Sequence, residues 1–343
     1  METQAAPHTS LVSHIPVLLQ RCVDLLAPAL SQPGAVLIDG TLGLGGHSEA
    51  ILAQLPHVQV IGIDRDRQAI ETATRRLAVF QDRFQAVHST YDRIVEVMQQ
   101  AGFTQVAGVL LDLGVSSMQL DDYARGFSYS KDAPLDMRMD QSVGQTAADI
   151  VNSYGEAELR SIIFEYGEDK FASRIARAIV AARNVAVINS TAKLAQIVDN
   201  AIPWKAKKTG GHPAKRTFQA LRIEVNQELT CLAATIPQAI SCLGVGGRIV
   251  VESYHSLEDR MVKREFAKGF AENTPLGLPT ALPEHLPYLR PLTRGAEKAD
   301  QPERDNNSRS TSVRLRAAER IRQTNILPVS QTSQNLLSGY QRS

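Results

Sequence analysis

Short apolar runs alternate with amphipathic segments over the first third of the chain. The apolar runs are rich in Val, Ile and Leu and lie at residues 35–39, 58–64, 84–89 and 106–114. The segments between them keep apolar positions three to four residues apart, at 47–55, 67–80 and 91–102. Such runs are typical of parallel strands buried on both faces, and such spacing is typical of helices. The alternation therefore predicts an open, doubly wound α/β sheet.

The next convincing strand, residues 246–253, follows the fourth apolar run only after about 130 residues. A crossover between parallel strands needs about a dozen residues, so further structure must lie between them. Stretches with helical spacing fill that interval at 156–167, 169–183 and 190–202. We therefore predict a mainly helical domain inserted at residues 121–216. The α/β domain is then discontinuous and consists of residues 1–120 and 217–320.

The same spacing predicts the remaining elements. Residues 14–30 form a helix that closes onto the core, and residues 217–236 form one long helix with an apolar stripe. The positions of that stripe are Phe218, Leu221, Val225, Leu229, Leu232 and Ile236. Beyond residue 270 the chain is rich in Pro and Leu, and only 311–320 alternates well enough to predict a final strand. Residues 321–343 are polar and predict a disordered tail.

The composition narrows the class of protein. The 343 residues include 37 Lys and Arg against 36 Asp and Glu, so any nucleic-acid surface must be a local patch. The cysteines Cys22, Cys231 and Cys242 have neither disulfide nor metal-ligand spacing, which favours a reducing, cytoplasmic setting. The N-terminus does not resemble a signal peptide, and no run approaches about 18 apolar residues. We therefore expect no membrane span.

A glycine-rich turn follows the first predicted strand, in the stretch LIDGTLGLGGHSEAIL at 37–52. A P-loop needs Gly-x4-Gly-Lys-Ser/Thr, and Gly46 stands where the lysine must be. A dinucleotide fingerprint needs Gly-x-Gly-x-x-Gly, and Ser48 takes the place of its third glycine, which weakens the case for NAD. S-adenosylmethionine has no pyrophosphate and needs backbone clearance, which glycine supplies. The turn therefore favours S-adenosylmethionine.

Acids end two further strands on the same predicted edge of the sheet. Asp64 ends the second strand, where its carboxylate can accept hydrogen bonds from both hydroxyls of a ribose. An acid about 20 residues beyond the turn serves NAD in the same way, and a simple helix cap is a further alternative. Asp112 ends the fourth strand ahead of Gly114 and two serines. In a methyltransferase this strand end faces the methyl group and its acceptor.

Seven stretches between residues 14 and 263 resemble the ribosomal RNA small-subunit methyltransferase H family. They are HIPVLL, DGTLGLGGHS, GIDRDRQAI, LLDLGVSSMQLDDYARGFSYSKDAPLDMRMD, YGEDKFASRIARAI, KRTFQALRIEVNQEL and GGRIVVESYHSLEDR. The resemblance implies a class I S-adenosylmethionine-dependent methyltransferase fold with an inserted helical domain. It implies methylation of the exocyclic N4 of a cytidine in the decoding region of small-subunit (16S) rRNA. It also implies cofactor contacts at Gly45, Gly46, His47, Asp64, Tyr91, Asp112 and Gln119.

The sequence departs from that family pattern at a few positions. Tyr91 stands where Phe is common, which preserves a stacking role, and Gln20 replaces a usual acid. Glu252 and Tyr254 stand where related sequences more often have Ile and Phe. Residues 306–316 are a loosened form of an NPRSRS-like segment, so no contact is carried over there.

Methyl transfer is an in-line displacement at carbon, and much of its acceleration can come from holding the nucleophile near the sulfonium. No metal is needed, and the sequence shows no cluster with metal-ligand spacing. The cytosine amino group is a poor nucleophile, so an acceptor aimed at its N–H should activate it. Asp112 or a carbonyl of its loop is the candidate; contact with the cofactor alone is the alternative. Tyr254 and His255 are candidates to hold the base and move a proton, unless His255 is structural.

Other reactions and roles are alternatives to this one. Methylation at ring carbon 5 needs a cysteine nucleophile, and Cys231, which follows Thr230, lies within a helical pattern. DNA amino-methyltransferases usually carry Pro-Pro after the fourth strand, which DLGVSS lacks. An NAD-dependent oxidoreductase stays open as a different enzyme class. An rRNA-binding assembly factor that keeps a cofactor pocket without turnover stays open as a non-enzymatic class.

A local basic patch lies in the stretch PWKAKKTGGHPAKR, with Trp204 beside it and no acid within it. Its cations are Lys205, Lys207, Lys208, Lys215 and Arg216. We predict that they contact rRNA phosphates, although a solvated loop at the domain boundary is the alternative. The expected partner is small-subunit rRNA within an assembled or assembling small ribosomal subunit, with no membrane involved. The sequence is compatible with a homodimer.

Overall fold

The computed structural model describes residues 16–207, 212–272, 274, 282 and 285–323. Its centre is a seven-stranded sheet with strand order β3-β2-β1-β4-β5-β7-β6. The strands are β1 (Val36–Asp39), β2 (Gln59–Asp64), β3 (Phe84–His88), β4 (Val106–Asp112), β5 (Leu243–Ser253), β6 (Leu289–Pro291) and β7 (Arg314–Arg320). β1 to β5 run parallel, and β7 is antiparallel to its neighbours β5 and β6. The predicted α/β sheet is confirmed.

Helices cover both faces of the sheet and also form a separate group between β4 and β5. In chain order they are α1 (Leu19–Leu30), α2 (Gly46–Gln54), α3 (Arg67–Leu77), α4 (Ile94–Gln100), α5 (Ser117–Asp121), α6 (Ala147–Ser153), α7 (Glu156–Glu165), α8 (Ala172–Arg183), α9 (Thr191–Ala201), α10 (Trp204–Lys207), α11 (Lys215–Asn226), α12 (Glu228–Cys242), α13 (Ser256–Phe270) and α14 (Gln301–Asn306). No described helix combines the length and the apolar character needed to cross a bilayer.

The core is divided into two layers because successive side chains of a strand point to opposite faces. Leu110 and Val250 face the layer that contains α1 and α2. Val109 and Val251 face the layer that contains α4, α12 and α13. Both layers are almost fully buried, which explains why these strands are continuous apolar runs rather than alternating ones.

The carboxyl ends of the parallel strands meet at one edge of the sheet. In the register of the strands, Asp39 pairs with Gly62 and Asp112 pairs with Glu252. The chain passes from β1 to β2 on one side and returns to β4 on the other side, so the strand order reverses beside β1. Open α/β sheets bind their ligands in the crevice at such a switch point.

The helices between β4 and β5 have their own hydrophobic core. The buried apolar side chains that α6 to α9 contribute include Ile150, Val151, Leu159, Ile162, Ile163, Ile175, Ile179, Leu194 and Val198. α11 belongs to both regions, because Phe218 and Leu221 pack in this cluster while Ile223 packs against the sheet. The predicted boundary between 216 and 217 therefore falls inside a shared helix.

The predicted continuous helix at 217–236 is wrong. α11 ends at Asn226 and α12 begins at Glu228, with Gln227 between them at φ 50°. The end of α11 places the amide of Asn226 against the preceding loop. Its Nδ2 donates to the carbonyl of Met137, and its Oδ1 accepts from the N–H of Met139. A tertiary contact over almost ninety residues thus accompanies a break that local spacing did not indicate.

The C-terminal part of the sheet differs in detail from the predictions. β5 begins at Leu243 rather than 246, and β6 forms where the residue pattern predicted no element. Pro291 is tolerated in β6 because this strand lies at the edge of the sheet. The predicted final strand is present as β7. Residues 324–343 of the predicted tail lie outside the described residues, as do residues 1–15.

Candidate active site

A cavity of about 470 Å³ opens at the carboxyl edge of the sheet. Its walls come from the β1–α2 turn, the ends of β2 and β4, the loop after β5, one face of α11 and both ends of the described chain. The predicted site residues that line it are Gly46, His47, Asp64, Tyr91, Asp112, Gln119, Lys215, Tyr254 and His255. The predicted residues Gly45, Lys205, Lys207 and Arg216 are not part of the lining. Lys208 lies outside the described residues.

The turn between β1 and α2 is shaped by glycine. Gly45 has φ 78°, which favours glycine, and it forms the N-cap of α2. A Cβ on Gly46 would lie 2.4 Å from Cγ of Pro16, so glycine lets the N-terminal segment close over the turn. The N–H of Gly43 donates to Oδ2 of Asp64 at 2.8 Å. The turn is therefore fixed by its neighbours and faces the cavity with little side-chain bulk.

Asp64 is held by backbone groups on both carboxylate oxygens. The second donor is the N–H of Asp66, which lies 2.8 Å from Oδ1. Burial raises the pKa of Asp64, while the two backbone donors oppose that rise. Each oxygen keeps a lone pair. The carboxylate can therefore accept two more hydrogen bonds from the direction of the cavity.

Gln119 ties Asp66 to the loop after β4. Its Nε2 donates to Oδ2 of Asp66 at 2.9 Å, and its Oε1 accepts from the N–H of Ser116 at 3.0 Å. Nη2 of Arg125 donates to the same Asp66 oxygen at 2.9 Å. Asp66 and Arg125 are both 3% exposed. The amide of Gln119 is thus oriented by a buried ion pair before any ligand arrives.

Asp112 ends β4 in the cavity and meets Tyr254 from the loop after β5. The hydroxyl of Tyr254 donates to Oδ1 of Asp112 at 2.7 Å. The N–H of Asp112 donates to Oγ1 of Thr41 at 2.6 Å. Burial raises the pKa of Asp112 to about 6, Tyr254 opposes the rise, and Glu258 adds to it. At neutral pH Asp112 is a carboxylate with one oxygen engaged and Oδ2 available as an acceptor.

Beside Asp112 lies a buried group of acids around His47. Nδ1 of His47 is 3.9 Å from Oδ2 of Asp112, and Nε2 is 3.5 Å from Oε2 of Glu252. Burial lowers the pKa of His47, although Asp39 opposes this, and the neutral ring is favoured. Burial and then Asp112 raise the pKa of Glu252 well above its usual range. Within this group the carboxylate of Asp112 suits a cationic ligand.

Tyr91 presents an aromatic wall on the opposite side, just after β3. Its hydroxyl donates to the carbonyl of Glu228 at 3.3 Å, and the guanidinium of Arg65 lies 6.0 Å from the ring centroid. Burial raises the pKa of Tyr91 well above its usual range. Because its polar end is engaged, the ring is free to stack against a planar ligand.

His255 has partners that favour the structural alternative. It is the N-cap of α13, and its Nδ1 accepts from the N–H of Glu258 at 3.4 Å. The carboxylate of Glu258 accepts in turn from the N–H groups of Tyr254 and His255. The reciprocal arrangement is a capping box. It fixes the start of α13 and the loop that carries Tyr254, so His255 positions this wall of the cavity.

The cations of the basic patch differ in their exposure and in their hydrogen-bond and ion-pair partners. Lys205 is exposed on α10 beside Trp204, whose side chain is 67% exposed. The ammonium of Lys207 pairs with Asp199 at 2.7 Å. Nη1 of Arg216 donates to the carbonyl of Glu168 at 2.9 Å. Lys215 alone among the described cations of the patch lines the cavity.

Further residues that line the cavity were missed in the sequence. Gln219 and Arg222 follow Lys215 on one face of α11, and helical spacing from Lys215 was a signal that could have found them. Arg309 and Val17 come from opposite ends of the chain. Their proximity depends on the packing of the two ends against each other, for which the sequence carries no local signal.

The sequence matches the family model described as the MraW methylase family over residues 11–321. The chain belongs to this family. The ribosomal RNA small subunit methyltransferase H of Beutenbergia cavernae is 60% identical over 315 residues, which cover 92% of this chain and 95% of that protein. The proteins of the same name from Kocuria rhizophila and Thermobifida fusca are 57% and 55% identical, and each match covers 91% of this chain and 95% or 94% of the relative.

Membership of the MraW methylase family confirms the resemblance noted in the sequence. It also confirms a class I methyltransferase fold and an enzyme that uses S-adenosylmethionine. The cavity of this methylase fits that cofactor, because it combines the carboxylate of Asp112 with an aromatic wall at Tyr91. The alternative of an NAD-dependent oxidoreductase is set aside.

Proposed function

We propose that this MraW methylase transfers the methyl group of S-adenosylmethionine to the exocyclic N4 of a cytidine in the decoding region of small-subunit (16S) rRNA. The observation that carries the proposal is the Asp112–Tyr254 pair, which lies in the cavity between the glycine turn and α11. The names of the relatives, which specify small-subunit ribosomal RNA, support the same acceptor.

The cofactor half of the cavity is assigned by chemistry. Asp64 accepts the ribose hydroxyls, and the ring of Tyr91 stacks on the adenine. The β1–α2 turn and Gln119 border the remaining part of the cofactor, whose positive charge is balanced by the carboxylate of Asp112. The full set proposed for this half is Gly45, Gly46, His47, Asp64, Tyr91, Asp112 and Gln119. Of these, Gly45 acts through the shape of the turn.

Asp112 is proposed to activate the amino group of the cytosine. S-adenosylmethionine supplies the methyl group when bound. The N4 lone pair forms the new N–C bond while the C–S bond breaks, its electron pair stays on sulfur, and one amine proton leaves. Oδ2 of Asp112 accepts a hydrogen bond from the amine and then takes that proton. A pKa of about 6 suits this role, because the group is ionised at neutral pH yet still basic enough to accept a proton.

Tyr254 and His255 are proposed to keep this acceptor in place. The hydroxyl of Tyr254 engages Oδ1 of Asp112 and thereby directs Oδ2 toward the substrate. His255 and Glu258 cap α13 and hold the backbone of Tyr254. The ring of Tyr254 also borders the space that a base displaced from folded RNA has to enter.

The inserted helical region, predicted at 121–216, is proposed to recognise the RNA. Lys215 lines the cavity, which supports a contact with a phosphate beside the target nucleotide. Lys205 and Arg216 extend this surface outward, with Lys207 partly neutralised by Asp199. The exposed ring of Trp204 offers a stacking surface for an unpaired base. Lys208 is retained as a proposed phosphate contact from the sequence alone.

The biological setting follows from charge and from thiol chemistry. A net charge of +1 gives little affinity for arbitrary RNA, so we propose a structured substrate, an assembling or assembled small ribosomal subunit. Cys22, Cys231 and Cys242 are free thiols, which fits a cytoplasmic enzyme. A homodimer is kept as a hypothesis that sedimentation analysis of the purified protein tests directly.

Transfer of a radiolabelled methyl group tests the proposal. Unmodified small subunits, free small-subunit rRNA and DNA are incubated in parallel, then digested to nucleosides. We expect label in N4-methylcytidine from the subunits. Label in another nucleoside would contradict the proposed acceptor, and bound cofactor without any transfer would favour the non-catalytic assembly factor.

A further inference from the structure

Three side chains with metal-ligating atoms meet behind Asp112, at the border of the cavity. They are Cys22 of α1, His47 of α2 and Glu252 of β5, and one ligand atom of each lies within 4.8 Å of the others. Cys22 and Glu252 are 0% exposed, and His47 is 6% exposed. The three residues are far apart in the chain, which is why ligand spacing in the sequence predicted no metal site.

Neither oxygen of the Glu252 carboxyl group has a hydrogen bond of good geometry among the described residues. Burial raises its pKa, and the thiol of Cys22, the only described donor that acts on it, lowers that pKa by a smaller amount. A fully buried carboxyl group in that condition needs an explanation, such as an ion. The adjacent Nε2 of His47 is 3.5 Å from Oε2, which is too long for a good hydrogen bond. Nε2 is instead within hydrogen-bond distance of the carbonyl of Val17, so the carboxyl group of Glu252 is the group left without a good partner among the described residues.

The distances around Nε2 match the edges of a tetrahedral metal site. A metal bound at about 2.0–2.1 Å from nitrogen and oxygen ligands has ligand–ligand edges of roughly 3.3–3.4 Å. Nε2 of His47 lies 3.5 Å from Oε2 of Glu252 and 3.1 Å from the carbonyl oxygen of Val17. One of these two distances is slightly longer and the other slightly shorter than the expected edge of a tetrahedral site. The thiol of Cys22 completes the group with a sulfur ligand.

We propose that Cys22, His47 and Glu252 bind Zn²⁺, with the backbone carbonyl of Val17 as the fourth ligand. Thiolate, imidazole and carboxylate together are a ligand set that suits zinc. The two anionic ligands balance the charge of the ion. The site is then neutral overall and does not repel the cationic cofactor beside it.

The surroundings of His47 fit a ligating histidine. A histidine bound to a metal through one nitrogen usually turns the other toward a carboxylate or a carbonyl. Nδ1 of His47 faces Oδ2 of Asp112 on the side of the cavity, although the 3.9 Å between them is longer than a hydrogen bond. The ion itself has a structural role, because it joins α1 and Val17 to α2 and β5. Val17 is part of the cavity wall, so the ion fixes that wall.

Elemental analysis of the full-length protein, purified without added metal or chelator, tests the proposal. We expect roughly one zinc per chain, as for a closed structural site. Cys22→Ala should lose most of that zinc. Cys242→Ala is the matched control, because Cys242 is also a buried free thiol, lies outside the cluster and should leave the zinc content unchanged. Zinc that persists in Cys22→Ala would overturn the assignment.

Cobalt substitution of the wild-type protein gives a second readout that depends neither on the variants folding nor on methyl transfer. Binding at the proposed site produces an intense thiolate-to-cobalt absorption band in the near ultraviolet. Folded wild-type protein with no zinc after zinc supplementation and no such band would overturn the proposal. In that case Glu252 is a buried, protonated acid. Because neither readout uses an RNA substrate, failure here leaves the proposed function untouched.

Discussion

The two halves of the cavity are built in different ways. The cofactor half is fixed by backbone donors and a buried ion pair, as where Gly43 binds Asp64 and Arg125 binds Asp66. The proposed acceptor half, on the side of Lys215 and Tyr254, is formed by side chains from separate elements, α11 and the loop after β5. A small ligand of constant shape can use a rigid site, whereas an RNA needs an open side. We therefore expect the cofactor half to be rigid and the acceptor half to be open to the RNA.

Asp112→Asn should have the largest effect on activity, because Asp112 is proposed to contact both the cofactor and the cytosine. We expect kcat to fall by about 10²- to 10⁴-fold through loss of the proton acceptor. The Kd for the cofactor, measured by calorimetry, should change much less. Asp305→Asn, at an exposed position of α14, is the control and should keep full activity. Full turnover of Asp112→Asn at saturating cofactor would rule out the proposed activation.

Arg125→Met tests how much the buried Asp66–Arg125 ion pair stabilises the cofactor half. The change leaves the buried carboxylate of Asp66 without its cation, so the free energy of unfolding should fall by about 3–5 kcal/mol. Urea denaturation followed by circular dichroism measures it. Arg93→Met is the matched control, because the Arg93–Glu96 pair is 58% and 44% exposed and should contribute about 1 kcal/mol or less. Equal effects of the two changes would contradict the prediction.

The pH dependence of kcat sharpens the role of Asp112. The active form is the carboxylate, so kcat should rise with pH through a midpoint near the pKa of about 6. At pH 5 it should be roughly tenfold below the plateau. Tyr254→Phe removes a hydrogen bond that lowers this pKa, so the midpoint should move to higher pH. If the midpoint does not move in Tyr254→Phe, the group that controls kcat is not Asp112 hydrogen-bonded to Tyr254, and the prediction is wrong.

A comparison of two lysine variants tests the proposed RNA surface outside the cavity, where we expect the smallest effects on RNA binding. Lys205→Gln should weaken binding of small-subunit rRNA and reduce the slope of log K against log salt by about 0.7–0.9, the share of one phosphate contact. Lys207→Gln should have a smaller effect, because Asp199 already pairs with that ammonium. Filter binding over a range of salt concentrations measures both. The reverse order would show that the pair with Asp199 opens on binding.

The sequence predicted those parts of the fold that depend on local periodicity. β1 to β4, the turn after β1 and the position of Asp112 all follow from apolar runs that end at one edge of the sheet. The proximity of Asp112 and Tyr254 follows from the same rule, because both come at the carboxyl ends of neighbouring parallel strands.

The remaining features depend on contacts between distant segments. The end of α11 is tied to the contact of Asn226 with residues 137–139, and the pairing of Lys207 depends on Asp199 of the preceding helix. The sequence left open whether His255 is structural, because its partner Glu258 is identified only by the cap of α13. Side-chain pairing of this kind has no periodic signature along the chain.

The wall of the cavity joins the two ends of the described chain. The N–H of Leu18 donates to Oε1 of Glu303 at 2.7 Å, and Arg21 pairs with Glu297 at 2.7 Å. During translation, residues 16–21 leave the ribosome long before these partners, by roughly 15–60 s at about 5–20 residues per second. Growing chains therefore cannot form these two contacts until residues 297–303 have been synthesised. Co-translational folding has to hold the segment around Leu18 by other contacts until then.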